Sequence, residues 1–235
     1  AGDRHVGQIV RAERHAQPGH ENGDGCGDGE GERTPARRNQ RGEADQPERR
    51  LSGDQGRQVR ASALRPAGRD DLVVDAAGAR FLGRDLACAL GRGGIVPAGA
   101  KREGDGATPA GMHRLLHLFY RPDRIARPRS CLPVRAIGPR DLWCDDPQDP
   151  AYNRLLRAPH RASHERLRRA DPLYDLVLVT GWNMAPPVPG MGSAIFVHAW
   201  RAPRSPTAGC VAFAPADLHW IVARLRPWSR LVVRG

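Results

Sequence analysis

Forty consecutive residues, Arg11 to Arg50, contain no Val, Ile, Leu, Met, Phe, Trp or Tyr. Such a segment has no apolar surface with which to offset the chain entropy lost on folding. Disorder is therefore expected over residues 1–68, and a core can be built only from residues 69–235. Ala1 to Arg65 carries twelve arginines against eleven acids, a mixed polyampholyte rather than a basic arm, so the net charge of +11 sits mainly in the remainder. The chain opens on Ala, its first methionine is Met112, and no charged stretch leads into an apolar one near residue 1. A misassigned start would account for these features together.

From residue 69 onward the apolar residues come in short runs broken by glycine and proline. Leu72–Asp75, Asp85–Leu90, Met112–Phe119, Leu176–Thr180, Ala194–Val197 and Arg230–Val233 read as strands. Leu86, Cys88 and Leu90 alternate, which places Cys88 in a buried, inert position. Pro215 to Leu225 reads as a helix. Pro215 suits its first turn and Asp217 its positive end, while Leu218, Ile221, Val222 and Leu225 share one face. A shorter helix is expected over Ser163–Arg169, capped by Ser163. These elements predict a mainly β domain, a sandwich or barrel with helices at its edge.

Within that pattern, Gly192 to Phe213 carries the chemistry. Ser193–Val197 is a strand candidate that would hold His198 on a rigid element. Two prolines and a glycine in Ala199–Gly209 read as a loop returning Cys210 to the imidazole. A free thiol titrates near pH 8.5, so a cysteine nucleophile needs a base within reach. Gly209, lacking a Cβ, would let substrate approach backbone N–H groups able to hold an oxyanion, and Thr207 can hydrogen-bond within the turn. Taken alone, a His and a Cys twelve positions apart are more often a packed core pair than a dyad.

From about Asp71 to Val233 the chain resembles the YkuD-type L,D-transpeptidase catalytic domain. The resemblance rests on ALGRGGI (89–95), KREGDGATPAG (101–111), WCDDPQDPAYNR (143–154), ASHERL (162–167), LYDLVLVTGWN (173–183), VPGMGSAIFVH (188–198) and PTAGCVAF (206–213). It implies a YkuD-like β-sandwich or barrel, with Cys210 as nucleophile and His198 as proton donor and acceptor. The Ala199 carbonyl would orient the imidazole, and the N–H groups of Gly209 and Cys210 would form the oxyanion hole. Thr207, Trp182 and Asn183 would contact substrate, Trp182 and Asn183 falling where the family places part of its cleft wall. The resemblance further implies acyl transfer on peptidoglycan stem peptides through a thioester, no cofactor, and a location outside the cytoplasmic membrane. The same dyad would serve an L,D-carboxypeptidase, and a non-catalytic wall-binding domain is the remaining rival. Two departures stand out: Ala208 occupies the position of the family's histidine before Gly-Cys, and Ala212 stands where Arg or Asn is common. Both bear on donor recognition more than on the chemistry.

The rest of the sequence narrows the alternatives. Arginines are scattered through Arg121–Arg169 without an aromatic platform, and only 5% of residues are aromatic, which argues against nucleic acid as partner. No apolar run approaches membrane-spanning length, and a monomer is expected. The segment GDGATPAG (104–111) reads as a plain turn. Asp145, Asp146 and Asp149 read as a capped loop with no metal, His113, His117, His160 and His164 as loop or surface residues, and Cys131 and Cys144 as a pair that an oxidising environment could join. Cys210 is expected to be the one cysteine that alkylates rapidly at neutral pH.

Overall fold

The structure is a computed structural model that describes residues 66–235. The expected disorder of the N-terminal extension therefore falls, but for its last three residues, outside the described residues. Fifteen strands follow in order: β1 (Leu72–Val74), β2 (Ala79–Phe81), β3 (Arg84–Leu86), β4 (Cys88–Ala89), β5 (Ile95–Val96), β6 (Thr108–Pro109), β7 (Gly111–Tyr120), β8 (Val134–Ala136), β9 (Asp141–Cys144), β10 (Leu155–Arg157), β11 (His164–Arg166), β12 (Leu176–Thr180), β13 (Phe196–Ala199), β14 (Val211–Phe213) and β15 (Arg230–Val233). Among the described residues a single α-helix, α1 (Pro215–Val222), lies between β14 and β15.

Ten strands form one sheet in the order β3-β2-β1-β15-β7-β12-β13-β14-β4, with β8 on the free half of β7. Strands β3 and β4 are separated by Ala87 alone, yet they occupy opposite ends of that order. The sheet must therefore curl until its ends meet, giving a nearly closed barrel-like sandwich. This also corrects the single strand expected over Asp85–Leu90: its two halves pair with different partners, β3 with β2 and β4 with β14.

The alternation of side chains in the central strands builds two cores. On one face Leu176 and Leu178 of β12, Val197 and Ala199 of β13, and Val211 and Phe213 of β14 pack with Leu218, Ile221 and Val222 of α1. On the other, Val177, Val179, Phe196 and Cys210 pack with Phe119, Trp143 and Tyr174. Strand β12 is buried along its whole length, as its continuous LVLVT run requires. Burying one such side chain contributes about 1.5–3 kcal/mol, enough to fix the strand's register.

Helix α1 starts at Pro215 as expected but ends at Val222, and Leu225 is buried from the turn that follows. Asp217, in its first turn, also pairs with Arg84 at 2.8 Å. The helix expected over Ser163–Arg169 is instead β11. The cause is tertiary: β9 is buried at all four positions and needs ladder partners on both edges, supplied by β10 and β11. The segment GDGATPAG is more than a turn, since Thr108–Pro109 pairs in parallel with β5. Cys131 and Cys144 are separate free thiols; Cys131 is exposed and its Sγ donates to the Leu225 carbonyl at 3.0 Å.

Candidate active site

Parallel pairing of β13 with β14 sets Val197 opposite Val211 and His198 opposite Ala212. One step back along the ladder brings Phe196 beside Cys210, and the Phe196 N–H donates to Cys210 Sγ at 3.3 Å. Opposed residues share a face and alternate residues return to it, so His198 and Cys210 emerge on the same side of adjacent strands, diagonal to one another. Both line one cleft of about 900 Å³, together with Tyr174, Glu165, Arg169 and Thr207. Cys210 as a residue is 8% exposed, packing in the second core while lining the cleft.

His198 Nδ1 lies 2.8 Å from the Ala199 carbonyl. A carbonyl only accepts, so Nδ1 carries the proton and Nε2 presents its lone pair. The Tyr174 ring stands edge-on against the imidazole at 5.2 Å between centroids. Cys210 Sγ donates to the Ala194 carbonyl at 3.1 Å. Ala194 is itself held through its N–H, which donates to Asn153 Oδ1 at 3.0 Å, and Asn153 Nδ2 donates to the carbonyls of Trp182 and Asn183.

Burial governs the titration of the pair. Desolvation pushes the Cys210 thiol up to about 12; the Glu165 carboxylate adds to this, while the Phe196 N–H and Lys101 act against it. Desolvation pulls His198 down to about 4, opposed by its bond to Ala199. Both shifts favour the neutral forms of a thiol and an imidazole that line the same cleft. Burial thus works against the rapid alkylation expected of Cys210 at neutral pH, and Cys131 is the exposed thiol of the two.

The turn before the cysteine is built for shape. Thr207 Oγ1 donates to the Cys210 carbonyl at 2.6 Å and accepts from the Gly209 N–H at 3.1 Å. The Gly209 N–H is therefore engaged within the turn, which removes it from the expected oxyanion pair. Gly209 has φ +136°, and a Cβ there would stand 2.8 Å from the Ala107 carbonyl, so glycine serves close backbone packing rather than substrate approach. Thr108, fully buried, ties the turn down by donating to the Gly209 carbonyl at 2.9 Å.

Trp182 and Asn183 do not border the cleft. Trp182 Nε1 donates to the Met191 carbonyl at 3.0 Å, and Asn183 Nδ2 donates to the carbonyls of Val188 and Gly192, so both brace the loop that leads into β13. Glu165, Tyr174 and Asn153 were not picked out by sequence reasoning, although all three fall inside the quoted ASHERL, LYDLVLVTGWN and WCDDPQDPAYNR blocks. The Tyr174 hydroxyl donates to Glu165 Oε1 at 2.8 Å, and burial raises the Glu165 carboxyl above the usual carboxylate range. Among the described residues no helix is long and apolar enough to cross a membrane.

The model of the L,D-transpeptidase catalytic domain, YkuD, matches residues 71–233. No curated protein and no solved structure matches the chain. The matched span takes in all fifteen strands and both residues of the thiol–imidazole pair, and on it the chain belongs to the YkuD family of L,D-transpeptidase catalytic domains.

Proposed function

We propose that this enzyme of the L,D-transpeptidase type is a cysteine acyltransferase acting on peptidoglycan stem peptides outside the cytoplasmic membrane, with Cys210 as nucleophile and His198 as its acid and base. The observation that carries this reading is the shared placement of His198 and Cys210 on one cleft-facing side of β13 and β14, with the imidazole locked by Ala199.

A neutral pair favours attack coupled to proton transfer over a preformed thiolate. As the sulfur adds to the carbonyl that joins the L-centre to the terminal D-residue, its proton passes to His198 Nε2. The oxyanion is held by the Cys210 N–H. Collapse breaks the amide C–N bond, the imidazolium returns its proton to the leaving amine, and the D-amino acid departs, leaving a thioester. An incoming amine then loses a proton to Nε2 as it forms the new amide, and the thiol leaves reprotonated. Thr207 and Thr108 position the nucleophile's turn; Asn153, through Ala194, positions the sulfur.

Mass spectrometry of muropeptides after incubation with the purified chain tests the reaction. Cross-linked or exchanged stems support transfer. Stems shortened by one residue, with no new amide, would convert the assignment to an L,D-carboxypeptidase, and untouched stems would leave only the wall-binding reading.

A further inference from the structure

We propose that Cys144, Asp149 and His160 form a binding site for a single zinc-class divalent cation, separate from the thiol–imidazole pair. One thiol, one carboxylate and one imidazole present ligand atoms that all lie within 4.8 Å of one another.

The hairpin between β9 and β10 builds the site. Cys144, fully buried, ends β9; its N–H donates to the Arg154 carbonyl and its carbonyl accepts from the Asn153 N–H, which closes the loop 145–153. Within that loop Asp146 accepts from the Gln148 N–H and Asp149 Oδ1 from the Ala151 N–H, the capping that the sequence led one to expect. Capping uses only one oxygen of Asp149. The other, Oδ2, lies 3.0 Å from His160 Nε2, brought in by the chain after β10. Two such ligands about 2.0–2.1 Å from a tetrahedral ion stand about 3.3 Å apart, close to the spacing already present.

Electrostatics favour a cation here. The carboxylates of Asp149, Asp145 and Asp146 act on the Cys144 sulfur from nearby, a concentration of negative charge that a cation would neutralise. Among the described residues, none of the arginines of this strongly basic chain forms an ion pair with Asp145, Asp146 or Asp149. Asp145 keeps one buried carboxylate oxygen with no hydrogen-bond partner. A sulfur, nitrogen and oxygen set selects a borderline ion such as Zn²⁺ over Ca²⁺ or Mg²⁺, which prefer oxygen alone. Binding releases the Cys144 proton to solvent and moves the His160 proton from Nε2 to Nδ1, so that both ligands present lone pairs. The ion would clip the 145–153 loop to the segment before β11. Asp145, His164 and Glu165, which flank that clip, line the cleft, so the metal would stiffen one of its walls.

The test is titration of the reduced full chain with Co²⁺, reading the thiolate-to-cobalt charge-transfer band, followed by displacement with Zn²⁺. One equivalent is expected to saturate the band. Cys144→Ser should abolish it, and His160→Ala and Asp149→Asn should each weaken binding by about tenfold or more. Cys210→Ser should leave it intact, which separates this site from the proposed nucleophile. Zn²⁺ should raise the Tm of the wild type and of Cys210→Ser but not of Cys144→Ser, a readout independent of enzyme activity. Absence of the band in wild type, or its loss in Cys210→Ser and retention in Cys144→Ser, would overturn the proposal.

Discussion

Strands β12, β13 and β14 show two faces that share a backbone and little else. On the face covered by α1, Val197, Ala199, Val211 and Phe213 belong to one continuous hydrophobic cluster. On the other, Phe196 packs in the second core, while His198 and Cys210, which share that face, border a cleft. The first face supplies the free energy that holds the strands in register, and the second makes use of that rigidity. A thiol and an imidazole held by a two-sided core have both titrations moved away from neutrality, the thiol to about 12 and the imidazole to about 4. The contrast teaches that the sheet presents a neutral pair whose reactivity depends on orientation, in place of a thiolate poised by charge.

That contrast can be broken by substitutions with opposite signatures on the two faces. The largest effect is expected from Cys210→Ser, which should lower acyl transfer roughly 10⁴-fold or more with little change in Tm. His198→Ala should follow, with a loss of about 10²–10⁴-fold in kcat/KM at pH 7, measured with a soluble stem peptide. On the covered face the order inverts. Phe213→Ala should cost about 3–5 kcal/mol in urea unfolding, while activity per folded molecule stays near wild type.

Acid should expose the cost of keeping His198 neutral. Its folded pKa lies below the unfolded value of 6.5, so the unfolded chain binds more protons between the two. The stability held above pH 6.5 should be lost as pH falls through 4, by about 3 kcal/mol, and His198→Gln should remove that part of the acid sensitivity. His113, lowered mainly by burial, acts in the same direction and should remain as the residual slope. The smallest effect concerns Glu165, whose carboxylate raises the Cys210 thiol. Glu165→Gln should move the midpoint of Cys210 alkylation to lower pH, with adducts mapped by peptide mass spectrometry; an unchanged midpoint would remove Glu165 from the electrostatics of the site.

The long, strongly apolar strands were legible in the sequence because burial on one or both faces leaves a plain pattern, as in Leu176–Thr180 and Arg230–Val233. Strands β10 and β11 were not. Each has an exposed end and only partly buried residues, and they exist as strands because β9 between them needs partners. The same logic divides the site. His198, Ala199 and Cys210 lie close in sequence, but their spacing alone favours a packed core pair; the family resemblance singled them out, and the structure brings His198 and Cys210 to one cleft. Glu165, Tyr174 and Asn153 reach the site from three other segments, and the only sequence signal for them was membership of the blocks shared with the family. Trp182 and Asn183 were read as cleft wall from the family resemblance, whereas here a bulge between Val179 and Thr180 and the left-handed Asn183 mark the end of β12, and both side chains bond the 188–192 loop.

The central claim is that the Cys210 sulfur carries the acyl group. Incubation of the purified chain with a stem tetrapeptide, followed by acid quench and peptide mapping, tests it most directly. A hydroxylamine-labile adduct on the peptide containing Cys210, missing from Cys210→Ser, is the predicted result. Turnover that persists in Cys210→Ser, or an adduct mapped to Cys88, Cys131 or Cys144, would contradict it.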